Sequence, residues 1–317
     1  MANPFYHLRP NKYVDRQLFV MALERLNSHK QLSGYHYVGF GSYMFDDFKL
    51  IHNRLHITNM TSLECDTSII SRAEFNLPYK CINLRTQSST DFISNEELKD
   101  TGNIIWLDYT NPAELGSQFS DYSALLSLLY PMDIIRITLN ANPSSLGKPP
   151  SVSDIHAKRL EELRSRIDSH LPTNIKPEDL VTKNYPMTLL KCLKKASLSV
   201  LRGKYYLLPL MATVYQDGQQ MLTFTGIVVD SEIENSIKEC FSELDFISCD
   251  WDKLNYVTIP ELTIKETLAI NNKLPSSDAR QQIQEAFGFV FDLNKPEELD
   301  SYISFYKYYP RFQSVNF

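Results

Sequence analysis

The chain is 317 residues long, 43% hydrophobic and 22% charged, a usage that excludes a disordered or fibrous protein and leaves room for one large domain with an appended piece. The formal net charge of −6 argues against a polyanion binder over the whole surface, although residues 155–204 carry +6 and residues 230–317 carry −8. Glycine occupies only 10 positions, so a glycine-rich phosphate loop has few residues to draw on.

Apolar residues recur with helical spacing over 14–26, predicting an amphipathic helix that ends before the polar NSHKQ segment. Residues 34–42 then form a run of β-formers stopping in two glycines spaced one apart, and MFDDFKLIHNRLH reads as the next helix. Further short apolar runs at 59–63, 79–84, 103–107 and 133–139 alternate with helical segments, among them 122–130. Such alternation predicts a parallel sheet covered on both faces. The runs at 205–215 and 221–230 flank Asp217 and Gly218, a positive-φ turn signal, and read as an antiparallel hairpin. Between the fifth strand and that hairpin lies an insertion, 143–204, with a Pro/Ser-rich start and two helical segments, 153–170 and 186–202. The tail reads as a helix at 231–244, an irregular stretch through 273, and two more helical segments from Ser277 and Pro296.

The resulting organisation is an N-terminal helix at 1–30, an α/β domain at 31–230 that includes the basic insertion, and an acidic C-terminal subdomain at 231–317. Five cysteines, Cys65, Cys81, Cys192, Cys240 and Cys249, form no C-x-x-C pair, which predicts reduced, buried thiols and no metal site. His52 and His56 are one helical turn apart but lack the carboxylate of a zinc motif and read as surface side chains. The N-terminus lacks the layout of a signal peptide and no long uncharged apolar run exists, so a cytoplasmic protein without a membrane contact is expected.

Three constellations could carry chemistry. Gly39, Gly41 and Ser42 follow the first strand, where backbone can approach a ligand and a helix N-terminus offers free amides. Glu64 ends the second strand, placed to accept hydrogen bonds from ribose hydroxyls, while Asp66 reads as a helix cap. Asp108 and Tyr109 end the fourth strand, with Ser88 and Ser89 after the third. There an acid can orient a cation or act as a base and a tyrosine offers a stacking face, the plainer alternative for Asp108 being an Asx-turn.

Five β/α units and a terminal antiparallel hairpin, with G-x-G after the first strand and an acid after the second, resemble the class I S-adenosylmethionine-dependent methyltransferases. More narrowly, YVGFGSYMFDDFKLIH, MTSLECD, IIWLDY and ITLNANP resemble a bacterial group labelled putative O-methyltransferase, over roughly residues 30–230, with an echo in the C-terminal FYKYYPRF. The resemblance implies a Rossmann-like, mostly parallel sheet with a helical insertion and a mainly helical C-terminal extension. It also implies S-adenosylmethionine as cofactor, with Gly39 and Gly41 along its methionine portion, Glu64 at the ribose, Ser88 or Ser89 at the adenine edge, and Asp108 and Tyr109 where donor meets acceptor. The acceptor oxygen or nitrogen is not specified by any motif.

Tyr43 stands where the fuller superfamily pattern has a third glycine. A second reading is therefore a catalytically silent methyltransferase-like module in a bacterial defence or nucleic-acid-handling complex. An open pocket beside Gly39, Gly41 and Glu64 favours the enzyme, and one filled by Phe40, Tyr43 or Met44 favours the silent module. Lys183, Lys191, Lys194, Lys195, Arg202 and Lys204 could track the phosphates of a nucleic acid or meet a protein partner, against the plainer reading of a solvated lysine face. The aromatics at 302–312 read as packing of the tail onto the sheet.

Overall fold

The computed structural model describes residues 9–95, 98, 102–147, 154–201, 203, 205–260, 262–291 and 296–310. Its strands are β1 His36–Gly39, β2 Asn59–Leu63, β3 Ile82–Arg85, β4 Asn103–Asp108, β5 Ile134–Asn140, β6 Tyr206–Asp217, β7 Gln219–Val229 and β8 Asn255–Val257. They form one sheet in the order β3-β2-β1-β4-β5-β7-β6-β8. β1 to β5 run parallel, β7 lies antiparallel to β5 and β6, and β8 runs parallel to β6. The order reverses between β1 and β4, so a crevice opens at the carboxyl ends of those strands, the place where open α/β sheets take ligands.

Side chains alternate across the sheet with the period of two that strand geometry imposes. On one face Val38, Ile105, Leu107, Ile135, Ile137 and Phe224 join a core with α4 Ser89–Asn95, α5 Leu115–Leu126, α6 Ile155–Ile167 and α7 Tyr185–Val200. On the other face Tyr37, Ile104, Trp106, Ile134 and Ile227 pack with α1 Pro10–His29 and α2 Asp46–Leu55.

α1 is tied down by its polar residues as well as its apolar ones. Proline at its first position fits a helix start, and the first-turn amides of Asn11 and Lys12 donate to the carboxylate of Asp217 at 3.2 and 2.8 Å. That carboxylate belongs to the hairpin turn, so a helix cap is supplied from across the fold. Asn11 completes the junction: its Nδ2 donates to Gln216 O and its Oδ1 accepts from the Ile259 amide.

Several sequence expectations change. The helix expected over 122–130 is α5, beginning at Leu115; Asn111 caps a short 3-10 turn at Pro112–Glu114 that feeds directly into it. The stretch taken as irregular through 273 contains β8 and the helix α9 Ile264–Asn271, which a Thr263 and Glu266 capping box starts. Among the cysteines only Cys192 is buried, and Cys65 is exposed, because it follows β2 in an open loop. The tail does pack inward: Phe305 is buried in the α1-side core, and Tyr308 and Tyr309 lie against it. Among the described residues no helix is long and apolar enough to cross a membrane.

Candidate active site

The loop after β1 is shaped by crowding from its own chain. A Cβ on Gly39 would sit 2.8 Å from the Tyr37 hydroxyl, and one on Gly41 2.5 Å from the Phe45 ring and 2.7 Å from Ser62 Oγ. The Gly41 amide donates to that same Ser62 Oγ at 3.1 Å. Both glycines are thus demanded by packing on the protein side, whereas the sequence reading explained them by approach of a ligand. Ser42 and Phe45 take positive φ values of 48° and 52°, strain for residues with a Cβ, and this tight double turn starts α2.

A cavity of about 460 Å³ lies at the carboxyl ends of β1 to β4, within the roughly 300–1,000 Å³ of small-molecule sites. Phe40, Ser42, Glu64, Ser88, Ser89, Asp108 and Tyr109 all border it, so six of the eight residues singled out in the sequence meet here. Gly39 and Gly41 do not border it, their surroundings being Tyr37, Phe45 and Ser62. Tyr43 does not border the cavity; half-buried, it packs against the α1-side core with the Arg72 guanidinium 3.7 Å from the centre of its ring.

Glu64 stands at the mouth, half-buried, with Oε1 accepting the Asp66 amide at 2.8 Å. Burial pushes its carboxyl above the usual range, against the pull of that amide. Asp66 does not cap a helix: its Oδ1 accepts from the Ser68 amide and hydroxyl, an Asx-turn that precedes the helix α3 Ile70–Phe75. Ser88 exchanges hydrogen bonds with Asp91 at the start of α4.

Tyr109 is locked in place. Its hydroxyl donates to Asp121 Oδ2 at 2.7 Å, Ser89 donates to the same oxygen at 2.6 Å, and Thr90 donates to Oδ1 at 2.8 Å. Burial, and then the Asp121 charge, hold the Tyr109 phenol far above its ordinary value, so the residue is a wall and a donor and cannot serve as a base near neutral pH. Its ring meets Phe40 edge-to-face at 5.6 Å, joining the β1 and β4 loops.

Asp108 is paired with Lys12 of α1, Nζ to Oδ2 at 2.7 Å, the two side chains being only 3% and 13% exposed. Burial alone would raise the carboxyl, but the Lys12 ammonium, with help from the Thr138 hydroxyl, outweighs it and leaves the value below normal. A carboxylate held charged in this way is a poor proton acceptor and a good electrostatic post. The Asx-turn alternative falls to Asn111, whose Oδ1 accepts the Ala113 amide.

Lys12 and Asp121 were not singled out in the sequence. Asp121 carries no local signal, since its partners lie 12 to 32 positions away. Lys12 did carry one: with Asp15, Arg16 and Phe19 it forms an i, i+3, i+4, i+7 row, so charges occupy the face that the apolar pattern assigns to the core. Of the basic segment, Lys195 spends its ammonium on the Leu171 carbonyl, and Arg202 and Lys204 lie outside the described residues. His52 bonds the Ile57 carbonyl and tilts against Tyr79.

The strand order and the antiparallel terminal hairpin are those of the Rossmann-like methyltransferase fold. The chain belongs to the family described as "Putative O-methyltransferase", whose sequence profile matches residues 4–317. Among solved structures it is similar to the N-methyltransferase NodS from Bradyrhizobium japonicum WM9, with 11% identity over 68% of this chain and 97% of that one, at a TM-score of 0.37. A second similar structure is a putative O-methyltransferase from Klebsiella pneumoniae, 13% identical over 72% and 91%, TM-score 0.40. A third is Trm1 from Pyrococcus horikoshii with S-adenosyl-L-methionine, 10% identical over 76% and 59%, TM-score 0.44. No curated protein matches the chain.

Proposed function

We propose that the cavity at the ends of β1 to β4 binds S-adenosylmethionine and that the protein directs its methyl group to an oxygen or nitrogen of an acceptor. The observation that carries this reading is the open cavity with a half-buried carboxylate, Glu64, at the end of β2. A carboxylate there is an acceptor looking for donors, which the paired hydroxyls of a ribose supply. Of the three side chains that could fill the site, Tyr43 and Met44 do not border the cavity and Phe40 stands in its wall against Tyr109, leaving about 460 Å³, which favours the enzyme over the silent module.

When bound, the cofactor supplies an electrophilic methyl group on a sulfonium. Glu64 holds the ribose, Ser88 and Ser89 form the adenine end, and the loop kept tight by Gly39 and Gly41, with Ser42 at its edge, lies along the methionine portion. Asp108 keeps its negative charge beside the reacting end and Tyr109 closes that wall against water. Orientation and desolvation, with no covalent enzyme intermediate, supply the acceleration.

Titration calorimetry tests the reading. S-adenosylmethionine should bind the wild type, and Glu64→Ala should weaken it by about 1.5–3 kcal/mol, the worth of a charge-assisted hydrogen bond, roughly 10- to 150-fold in affinity. Absence of binding at millimolar cofactor overturns the proposal.

A further inference from the structure

Four side chains with a hydroxyl border the cavity where the start of α4 meets the end of β4: Ser88, Ser89, Thr90 and Tyr109. A hydroxyl has one proton and can give it once. At each of the four that proton is already given. Ser88 donates to Asp91 Oδ2 at 2.7 Å and accepts the Asp91 amide at 3.0 Å. Ser89 and Tyr109 donate to Asp121 Oδ2 at 2.6 and 2.7 Å, and Thr90 donates to Asp121 Oδ1 at 2.8 Å. The Ser89 and Tyr109 oxygens also lie 3.1 Å apart, but with both protons drawn to the shorter contacts on Oδ2 no hydrogen is left for that pair.

Asp121 is the common cause at three of these positions. It is 4% exposed and stands on α5, whose Leu115, Phe119, Tyr122 and Leu125 are buried in the core, so its carboxylate has a fixed place. An ionised carboxylate only accepts. Three protons held by it are three protons withheld from a ligand. Any hydrogen bond that the hydroxyl of Ser89, Thr90 or Tyr109 makes with a bound molecule is therefore one that the hydroxyl accepts. Gln87, which also borders the cavity, can present either end of its amide and leaves this bias unchanged.

With S-adenosylmethionine in the cavity, Ser89 stands at the base. A 6-aminopurine brings an exocyclic NH₂ to that position, and its protons meet the waiting lone pairs. A 6-oxopurine brings a carbonyl oxygen instead, which faces other oxygens with no proton between them. A site built to accept from an N–H rejects the analogue without one, because its own polar groups are then left unpaired.

We infer that Asp121 is the positioning residue that sets base selectivity: by holding the protons of Ser89, Thr90 and Tyr109 it makes this end of the cavity an acceptor surface that takes a 6-aminopurine and turns away a 6-oxopurine. It acts through those hydroxyls. The inference rests on the S-adenosylmethionine reading and adds to it the device by which the base is chosen.

The test measures adenosine, inosine, purine riboside and S-adenosylmethionine on the full chain by titration calorimetry and ligand-observed NMR. Adenosine should bind at least tenfold more tightly than inosine, and also more tightly than purine riboside, which keeps the ring nitrogens of adenine and lacks the amino group. Asp121→Asn keeps the size of the side chain and replaces one accepting oxygen by an NH₂ donor. The hydroxyl protons it releases become available to a carbonyl oxygen, so the preference for adenosine over inosine should fall at least fivefold. A residue that only held the fold together would weaken both nucleosides by the same factor and leave their ratio unchanged. Where Asp121→Asn does not fold, Ser89→Ala carries the test: it deletes an accepting oxygen and should lower the same ratio by weakening adenosine and not inosine. Inosine or purine riboside binding as tightly as adenosine, no binding of any nucleoside at millimolar concentration, or an unchanged ratio in the variants overturns the inference. If S-adenosylmethionine binds while the nucleosides are not told apart, the inference fails and the methyltransferase reading survives it. If the ratios behave as described and S-adenosylmethionine does not bind, that reading fails and the polarity assigned to Asp121 stands.

Discussion

The two faces of the sheet are built to different rules. Under α5 and α7, β4 and β5 present Ile105, Leu107, Ile135, Ile137 and Leu139, and the buried polar groups of that side stand on the helices, among them the hydroxyl pair of Tyr122 and Ser197 at 2.8 Å and the Asp121 carboxylate that accepts from Ser89, Thr90 and Tyr109. Under α1, the alternate positions of the same strands present Trp106, Asp108, Arg136 and Thr138. Arg136, with no exposed surface, pairs with Asp15 at 2.5 Å, donates to Thr225 at 2.6 Å, and lies over the rings of Phe19 and Trp106 at 4.4 and 4.5 Å. Toward the strand ends the pattern continues as Lys12 with Asp108 and, beneath β1, Tyr37 with Asp47 at 2.7 Å. The strands meet apolar side chains on one face and apolar side chains plus paired charge on the other, and both faces reach the candidate site, one through Asp121 and the other through Asp108.

Burying an ion pair costs desolvation, so it contributes little net stability, yet it penalises any arrangement in which one partner is missing. A helix fixed in this way has one seating on the sheet. That seating sets where Lys12 meets Asp108, so the charged face couples the fold to the site.

The largest effect expected from breaking this contrast is at Arg136. Arg136→Met should lower stability by about 3–5 kcal/mol, because Asp15 is left charged and buried, and the double variant with Asp15→Leu should recover most of the loss in urea denaturation. A loss as great in the double variant would show that shape, and not charge, carries this face. Asp108→Asn should cost less, about 1.5–3 kcal/mol, the range for hydrogen bonds to charged groups, and it carries a pH signature. Since the folded-state value of Asp108 lies below its unfolded value, its stabilisation is complete above about pH 4 and fades as pH falls through the lowered value. The variant should therefore show a shallower acid limb in thermal midpoints measured between pH 2 and pH 5. On the other face Ile137→Val should cost only about 0.5–1.5 kcal/mol, the price of one methyl group, and its effect should be the same at each pH.

Much of the fold was legible because its signals are local. β2 occupies the residues expected, Asn59–Leu63, and the turn forms at Gly218, between the paired Asp217 and Gln219, with a φ of 109°, since so tight a reversal needs a residue that takes positive φ without strain. The start of α5 was misplaced because Pro112, a strand stop in the sequence, also opens the 3-10 turn that leads into the helix. At the candidate site Glu64, Ser88, Ser89 and Asp108 were legible from their position at strand ends. Their partners were not: Lys12 lies 96 positions from Asp108, and Asp121 lies 32 from Ser89.

The sequence by itself determined the alternation of strands and helices, the closing hairpin and which residues end each strand, since these depend on hydrophobic period and on sterics within a few residues. Only the tertiary structure decided that Asp108 is held charged by α1, that Tyr109 is spent on Asp121, and that Gly39 and Gly41 answer to Tyr37, Phe45 and Ser62. Each of these depends on groups that meet when the sheet closes and α1 docks, and a through-space contact leaves no period in the chain.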